Sequence, residues 1–369
     1  MRTREEIHSD LAVPPGEFLA EVLEDLGMSQ ADLARRMGRP AQAINEIVRG
    51  TKSLTPETAL QLERVVGVPA HIWLGLEAEY RLVRARQAEA QELTQEAQLL
   101  DAFPYKEMAN LSCVAPVRKA EDKVRELRRF FGVATLAQLG EVPAYAPAFR
   151  VGGSARQPSS YGLAAWLHCG YVQAREAEVL TFDEAKLRAM IPALRELTLA
   201  PAETVASILR ARLGDCGVVF TLFPRFPKTY AHGATFWVTP REKAVLLSSI
   251  RGKWADIFWF SLFHELGHVI LHGNATFVEI EDKRETRGSA EEEADAFARD
   301  GLLPAVEYAV FVAAQDFSAP AIARFAASVA IHPGVVVGRL QHEGLLGRDR
   351  SNQLRERYNL QTTEAESAG

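Results

Sequence analysis

The sequence predicts a mainly α-helical protein with a small β-sheet, an α+β arrangement of two principal domains joined by helices. Three observations predict it. Residues 28–50 place apolar side chains at helical spacing, interrupted once by a glycine. Residues 76–100 run without a single Gly or Pro. Two short apolar segments, "GATFWV" (233–238) and "AVLLSS" (244–249), precede the strongly apolar stretch "FWFSLFHELGHVILHG" (258–273).

A chain of 369 residues is long enough for two or three separate cores. Its 47% hydrophobic and 24% charged residues are those of an ordinary globular protein. A net charge of −6 argues against coating nucleic acid by bulk electrostatics, while leaving room for a small domain with local positive charge. The longest apolar runs, such as Ile257–Phe263, fall far short of a membrane span, so no membrane partner is expected. The first residues, "MRTREEIHSDLAVPPGEF", lack the apolar centre of a signal peptide. Cys113, Cys169 and Cys216 form no C-x-x-C pair and are expected to be reduced packing residues of a cytoplasmic protein.

In "MSQADLARRMGRPAQAINEIVRG" (28–50), Ser29 caps a helix running through Arg36, with Leu33 and Met37 on its inner stripe. Gly38 supplies the turn and Pro40 suits the first turn of the next helix, which points Ile44 and Ile47 inward. Ala34, Gly38 and Ile44 give the small–glycine–aliphatic spacing of a helix-turn-helix. The outward positions of the second helix are expected to be Gln42, Ala43, Asn45 and Glu46. Gln and Asn can read adenine edges, and Glu can accept from cytosine. Arg35, Arg36, Arg39, Arg49 and Lys52 face only Asp32 and Glu46 as acids, a surplus suited to phosphate contacts. Arg39, Gln42, Ala43, Asn45, Glu46 and Arg49 are therefore the candidate operator-contacting residues.

The next segment, "LTPETALQLERVVGVPAHIWLGLEAEYRL" (54–82), opens a helix with Thr55 as cap and Pro56 as first residue, and buries Ala59, Leu62, Val65 and Val66. Its T-P-E-T-A-x-x-L-E run followed by W-L-x-L-E resembles the fourth and fifth helices of HigA-type antitoxins and their repressor relatives. The resemblance spans roughly residues 14–85. It implies a five-helix, lambda-repressor-like domain that dimerises on a palindromic operator.

Beyond it, a long polar helix is expected from Glu77 to Leu100, then helices within 117–133 and 183–218. Loop chemistry clusters at 145–162, and His168 sits alone on an apolar helix face, where a satisfied core histidine is the expectation. The resulting domain limits are 1–82, a connector over 83–215, a C-terminal domain over 216–346 and a polar tail over 347–369, of which the last twenty residues are expected to be frayed.

In "HELGH", His264 and His268 lie four apart, hence on one helix face about 6 Å apart along the axis. Both imidazoles can then converge on one metal ion, while Glu265 projects off that line toward a water. His272 lies about 12 Å along the axis from His264, too far to share the ion. A histidine six residues after His268 is also missing, since Asn274 stands there. The third ligand is instead sought in "SAEEEADAFARDGLLP" (289–304), a helix capped by Ser289 with Ala294, Phe297, Ala298 and Leu302 inward. Glu291 lies nearest that stripe and Asp295 one turn on, where a carboxylate can hold the second nitrogen of a ligand histidine.

These segments in this order resemble the ImmA/IrrE family of metallopeptidases over residues 216–346. The resemblance implies a gluzincin-like peptidase domain, with zinc or manganese bound by His264, His268 and a glutamate, and Glu265 as general base. The triple glutamate leaves Glu291 and Glu293 as alternatives for that third ligand. Relatives of this family sever helix-turn-helix repressors under stress. The expected function is a DNA-binding regulator, likewise a homodimer, with an endopeptidase acting on a repressor or on itself. The alternative is an antitoxin-like regulator whose metal domain is a non-catalytic sensor or a toxin-binding surface. Tyr230 or His232 is a candidate oxyanion donor, and the 233–238 strand a candidate edge for an extended substrate. His332, Arg339 and His342 are expected to be packing or surface residues.

Overall fold

The computed structural model describes residues 11–149, 158–249, 254–273, 275–280 and 288–358. The chain forms two compact units, Met1–Gln98 and Leu99–Gly369. It is mainly helical, with one four-stranded sheet.

The first unit holds α1 (Pro15–Asp25), α2 (Gln30–Met37), α3 (Ala41–Val48), α4 (Pro56–Val66) and α5 (Ala70–Glu96), the five helices expected. Ser29 caps α2 by accepting the Asp32 amide at 3.1 Å, and Thr55 caps α4 by accepting that of Thr58 at 3.3 Å. Gly38 turns the chain between α2 and α3 at φ 63°. Leu19, Leu33, Ile44, Ile47, Leu62 and Trp73 are all at most 2% exposed and form the core. Each such burial contributes about 1.5–3 kcal/mol. Ala43 departs from expectation: it is only 7% exposed. Helix α3 packs against both α1 and α2, so its buried arc is wide enough to take in position 43 beside 44 and 47.

The second unit begins with α6 (Tyr105–Asn110), α7 (Ala120–Phe131), α8 (Ala146–Phe149), α9 (Ser160–Glu176), α10 (Glu184–Glu196) and α11 (Ala202–Gly214). Strands β1 (Val218–Phe223), β2 (Ala231–Thr239) and β3 (Lys243–Ser249) follow, then α12 (Ala255–Leu271), β4 (Phe277–Ile280) and α13 (Ser289–Leu302). Helices α14 (Ala305–Ala313), α15 (Ala319–Ser328) and α16 (Pro333–His342) complete it. Of the loop expected at 145–162, residues 146–149 and 160–162 are helical and 150–157 lie outside the described residues, as do residues 281–287.

The sheet order is β1-β3-β2-β4, with β1 parallel to β3 and the other pairings antiparallel. Strand β2 is therefore interior, and the expectation that it offers an edge is corrected: β4 covers its far side through Ala231 and Gly233–Thr235. Thr235 and its neighbour Leu246 face α12, while Ala234 and Leu247 face α9. Helices α12 and α9 thus sandwich the sheet.

The core of this unit joins Leu187, Leu209 and Leu213 to Phe220, Leu246, Trp259 and Leu266, so it runs unbroken through position 215. Two further expectations are corrected. Gly288, not Ser289, is the N-cap of α13, and Ser289 is its first helical residue. The tail is not frayed as far as Tyr358, which is 3% exposed. Trp259 Nε1 donates to the Tyr358 hydroxyl at 2.9 Å, and Arg355 grips Asp256 through two hydrogen bonds of 2.8 and 3.1 Å. Apolar and ion-pair contacts anchor a segment whose polar composition suggests freedom; residues 359–369 lie outside the described residues.

Candidate metal centre and nucleic-acid interface

Helix α12 is buried on nearly every side, with Ala255, Trp259, Leu262, Phe263, Leu266 and Val269 in the core. That wrapping carries His264, Glu265 and His268 indoors, at 3%, 1% and 1% exposure. Buried polar groups need partners, and each has them. Asp295 on α13 meets His264 Nδ1 at 2.9 Å. The carboxylate accepts that ring proton, which leaves the Nε2 lone pair pointing inward.

On the second histidine the pattern repeats through His272, set aside as a ligand, and Glu293, left open as one. His268 Nδ1 stands 3.0 Å from His272 Nδ1, and His272 Nε2 stands 3.2 Å from Glu293. A proton on each of His268 Nδ1 and His272 Nε2 satisfies this chain, and again frees an Nε2 lone pair, that of His268. Phe277 stacks flat on the His268 ring at 3.9 Å between centroids.

Three donor atoms then converge: His264 Nε2 and His268 Nε2 are 3.0 Å apart, and Glu291 Oε2 lies 3.3 and 3.8 Å from them. A tetrahedral ion with bonds of about 2.1 Å separates its ligands by about 3.4 Å. The donor set fits a divalent metal. Of the two glutamates left open by the sequence, Glu291 reaches this cluster while Glu293 pairs with His272. Burial raises the Glu291 carboxyl, but the adjoining His264 and His268 rings outweigh it and hold it well below the usual carboxylate range. Burial also lowers His268 despite the nearby Glu291. An ionised carboxylate and a neutral imidazole are the forms that bind metal.

Glu265 lies one residue round the helix. The Thr235 hydroxyl, from β2, donates to Glu265 Oε2 and approaches its backbone oxygen at 3.3 Å. Two glycines make room. A Cβ on Gly233 would stand 2.6 Å from Glu265 Oε1, and one on Gly267 would stand 3.1 Å from the Ala294 Cα. The first lets β2 pass against the glutamate, and the second lets α13 cross close enough for Glu291 to reach. Neither Thr235, Gly233 nor the His272–Glu293 pair was singled out in the sequence. The four-residue step from His268 to His272 was the only local signal for the last. Of the suggested oxyanion donors, His232 lines a cavity of about 300 Å³ beside Asp295 and Phe260. Tyr230 packs instead against Arg225. Arg339 bonds Glu343 at 2.6 Å and lies over Tyr308, His332 caps α16, and Arg339 and His342 also line that cavity.

In the first unit, Gln42 and Arg49 are exposed, while Arg39, Asn45 and Glu46 are half-buried. Gln42 Nε2 donates to Glu46 Oε1 at 2.9 Å, and Lys52 pairs with Glu46 at 3.6 Å. Arg39 is fixed to α4 by a 2.6 Å bond to Gln61. Gln42 and Asn45 on α3 and Arg49 just after it therefore offer amide and guanidinium groups, while Glu46, the one acid of α3, is paired with Gln42 and Lys52.

A helix-turn-helix family model matches residues 19–73, and an IrrE N-terminal-like domain model of the M78 peptidases matches residues 220–329. Virulence-associated protein I of Dichelobacter nodosus is 40% identical over 77 residues, 21% of this chain and 71% of that protein. The chain belongs to the helix-turn-helix family and carries an IrrE N-terminal-like domain. An HTH-type transcriptional regulator of Escherichia coli (strain K12), YddM, is 32% identical over 71 residues, covering 19% of this chain and 76% of its own. Among solved structures, the Pseudomonas aeruginosa antitoxin HigA with the higBA promoter shows 32% identity and a TM-score of 0.22, over 23% of this chain and 95% of that one. His264, Glu265, His268 and Glu291 all fall inside the IrrE-like match, and α2 and α3 inside the helix-turn-helix match.

Proposed function

We propose that this chain is a DNA-binding transcriptional regulator whose C-terminal domain is a zinc-dependent endopeptidase, with manganese as the alternative ion. It acts in the cytoplasm as a homodimer on operator DNA, and it cuts a protein substrate, either a helix-turn-helix repressor or itself. One observation carries the enzymatic reading: the convergence of His264, His268 and Glu291 with Glu265 buried alongside.

Once bound, a divalent ion would supply Lewis-acid activation of water and of the scissile carbonyl. The chain's own residues do the rest. Glu265 accepts the proton of the attacking water and delivers it to the departing amine nitrogen. The Thr235 hydroxyl orients that carboxylate from β2. Asp295 and the His272–Glu293 pair hold the ligand imidazoles in the tautomer that turns Nε2 inward. Gln42 and Asn45 read base edges, and Arg39 and Arg49 contact phosphates.

The test is metal content per chain after purification without chelator, for the wild type and Glu291→Ala, followed by cleavage assays on helix-turn-helix repressors. About one metal per wild-type chain, lost in the variant, is expected. Glu265→Gln should keep the metal and operator binding but lose cleavage. A wild-type chain that takes up no metal even after its addition would sink the proposal. Metal-dependent operator affinity without proteolysis would make the C-terminal domain a non-catalytic sensor or a toxin-binding surface instead.

A further inference from the structure

Outside the metal centre, two of the three thiols meet. Cys113 follows the turn after α6, and Cys169 sits in the middle of α9, 56 residues later in the chain. Their sulfurs are 2.9 Å apart, closer than two sulfur atoms stand in ordinary van der Waals contact. A disulfide bond is about 2.05 Å long, so closure needs a movement of under about 1 Å. We propose that Cys113 and Cys169 form a reversible intrachain disulfide, making the pair a modification site for two-electron oxidants of the peroxide class.

The two thiols differ in a way that assigns their order. Cys113 is partly exposed, whereas Cys169 is 1% exposed. Burial, reinforced by the hydrogen bond to Cys113, pushes the Cys169 thiol well above its ordinary value, so it stays protonated. Cys113 is therefore the sulfur that meets the oxidant. As thiolate it attacks one peroxide oxygen; the S–O bond forms, the O–O bond breaks and hydroxide leaves. The sulfur of Cys169 then attacks the Cys113 sulfenic acid. The S–S bond forms as the S–O bond breaks, and the departing hydroxide takes the Cys169 proton as water. Two thiols and one peroxide give one disulfide and two waters.

The surroundings favour this outcome over further oxidation of Cys113. Helix α9 is seated firmly on the sheet: a Cβ on Gly170 would stand 2.6 Å from the Leu247 side chain. The resolving sulfur is thus held in place, 2.9 Å from that of Cys113. Its own segment is anchored on either side by buried Met108 and Val114 and by the Tyr105 hydroxyl donating to the Ala115 carbonyl at 2.7 Å. Cys216 is wholly buried in the opposite core with Leu213 and Val218, and takes no part.

The experiment treats the full reduced chain with a small excess of hydrogen peroxide, then counts thiols under denaturing conditions and maps tryptic peptides by mass. Expected are the loss of two of the three thiols, a mass lower by two hydrogen atoms, and a cross-link between peptides 107–118 and 157–175. Dithiothreitol should restore all three. Cys113→Ser should retain both of its remaining thiols at the same peroxide dose, while Cys216→Ser should still form the link. Unchanged wild-type thiols, a sulfinic acid on Cys113 without a link, or a link to Cys216 or to a second chain would each overturn the proposal, whether or not the variants fold.

Discussion

At the scale of single residues, the proposed chemistry depends on where one carboxylate is held. Glu265 is 1% exposed, takes the Thr235 hydroxyl on one oxygen and has the Gly233 backbone close against the other. The missing Cβ at position 233 is what allows β2 this near. Gly233→Ala would place a methyl group 2.6 Å from Glu265 Oε1, and the carboxylate must move. A displacement of about 1 Å at a catalytic group costs about 100-fold in rate. The variant should retain its metal, because the three atoms nearest that methyl all belong to Glu265, yet cut substrate about 100-fold more slowly. Metal analysis beside kcat/KM on the same preparation checks it; an unchanged rate would show that Glu265 does not need this position.

At the scale of elements, two helix surfaces carry the function, and they were unequally legible. Helix α12 announced itself: His264, Glu265 and His268 at helical spacing on an apolar stretch were enough to place a buried face with the two histidines side by side. Choosing between Glu291 and Glu293 was not possible from spacing alone, because that choice depends on how closely α13 crosses α12 at Gly267. The role of β2 was hidden for a similar reason. Pairing with β4, which comes only after β3 and α12 in the chain, makes it interior, and no local pattern records a partner so far along the chain. His168, in contrast, is the satisfied core histidine its apolar helix suggested: it bonds Tyr145, and burial lowers it to about 4.

Helix α3 shows the same limit. Its inward residues Ile44 and Ile47 followed from spacing, but packing by two neighbours rather than one also buried Ala43. The two kinds of position should respond differently. Gln42→Ala removes an exposed amide and should weaken a specific operator by about 1–3 kcal/mol while leaving thermal stability unchanged. Ala43→Leu overfills a buried site and should lower stability by about 1–3 kcal/mol instead. Operator titrations and denaturation curves on both variants separate the effects. A base-specific loss at 43 without a stability loss would return that residue to the operator-contacting set.

At the scale of the whole molecule, the second unit is closed by its own tail. Segment 351–358 returns to the start of α12, where Arg355 bonds both oxygens of Asp256 and lies over the Trp254 ring at 4.2 Å. The pair is almost buried, with 10% and 8% of the two side chains exposed. Burial raises the Asp256 carboxyl, and Arg355 opposes that rise. Removing one partner of a buried ion pair leaves an uncompensated charge and costs about 3–5 kcal/mol. Arg355→Met should therefore destabilise the second unit by about that much near neutral pH. The sign with pH follows from the same groups. Without Arg355 the folded-state value of Asp256 rises further above its unfolded one, so the protonated form is the one the fold tolerates. Stability contributed by a raised carboxyl is present below the unfolded value and lost as pH climbs through the folded one. The deficit of Arg355→Met relative to wild type should shrink as pH falls from neutral and widen as it rises. Urea denaturation of both proteins across that range measures it directly, and a deficit independent of pH would mean that Arg355 acts by packing on Trp254 rather than by its charge.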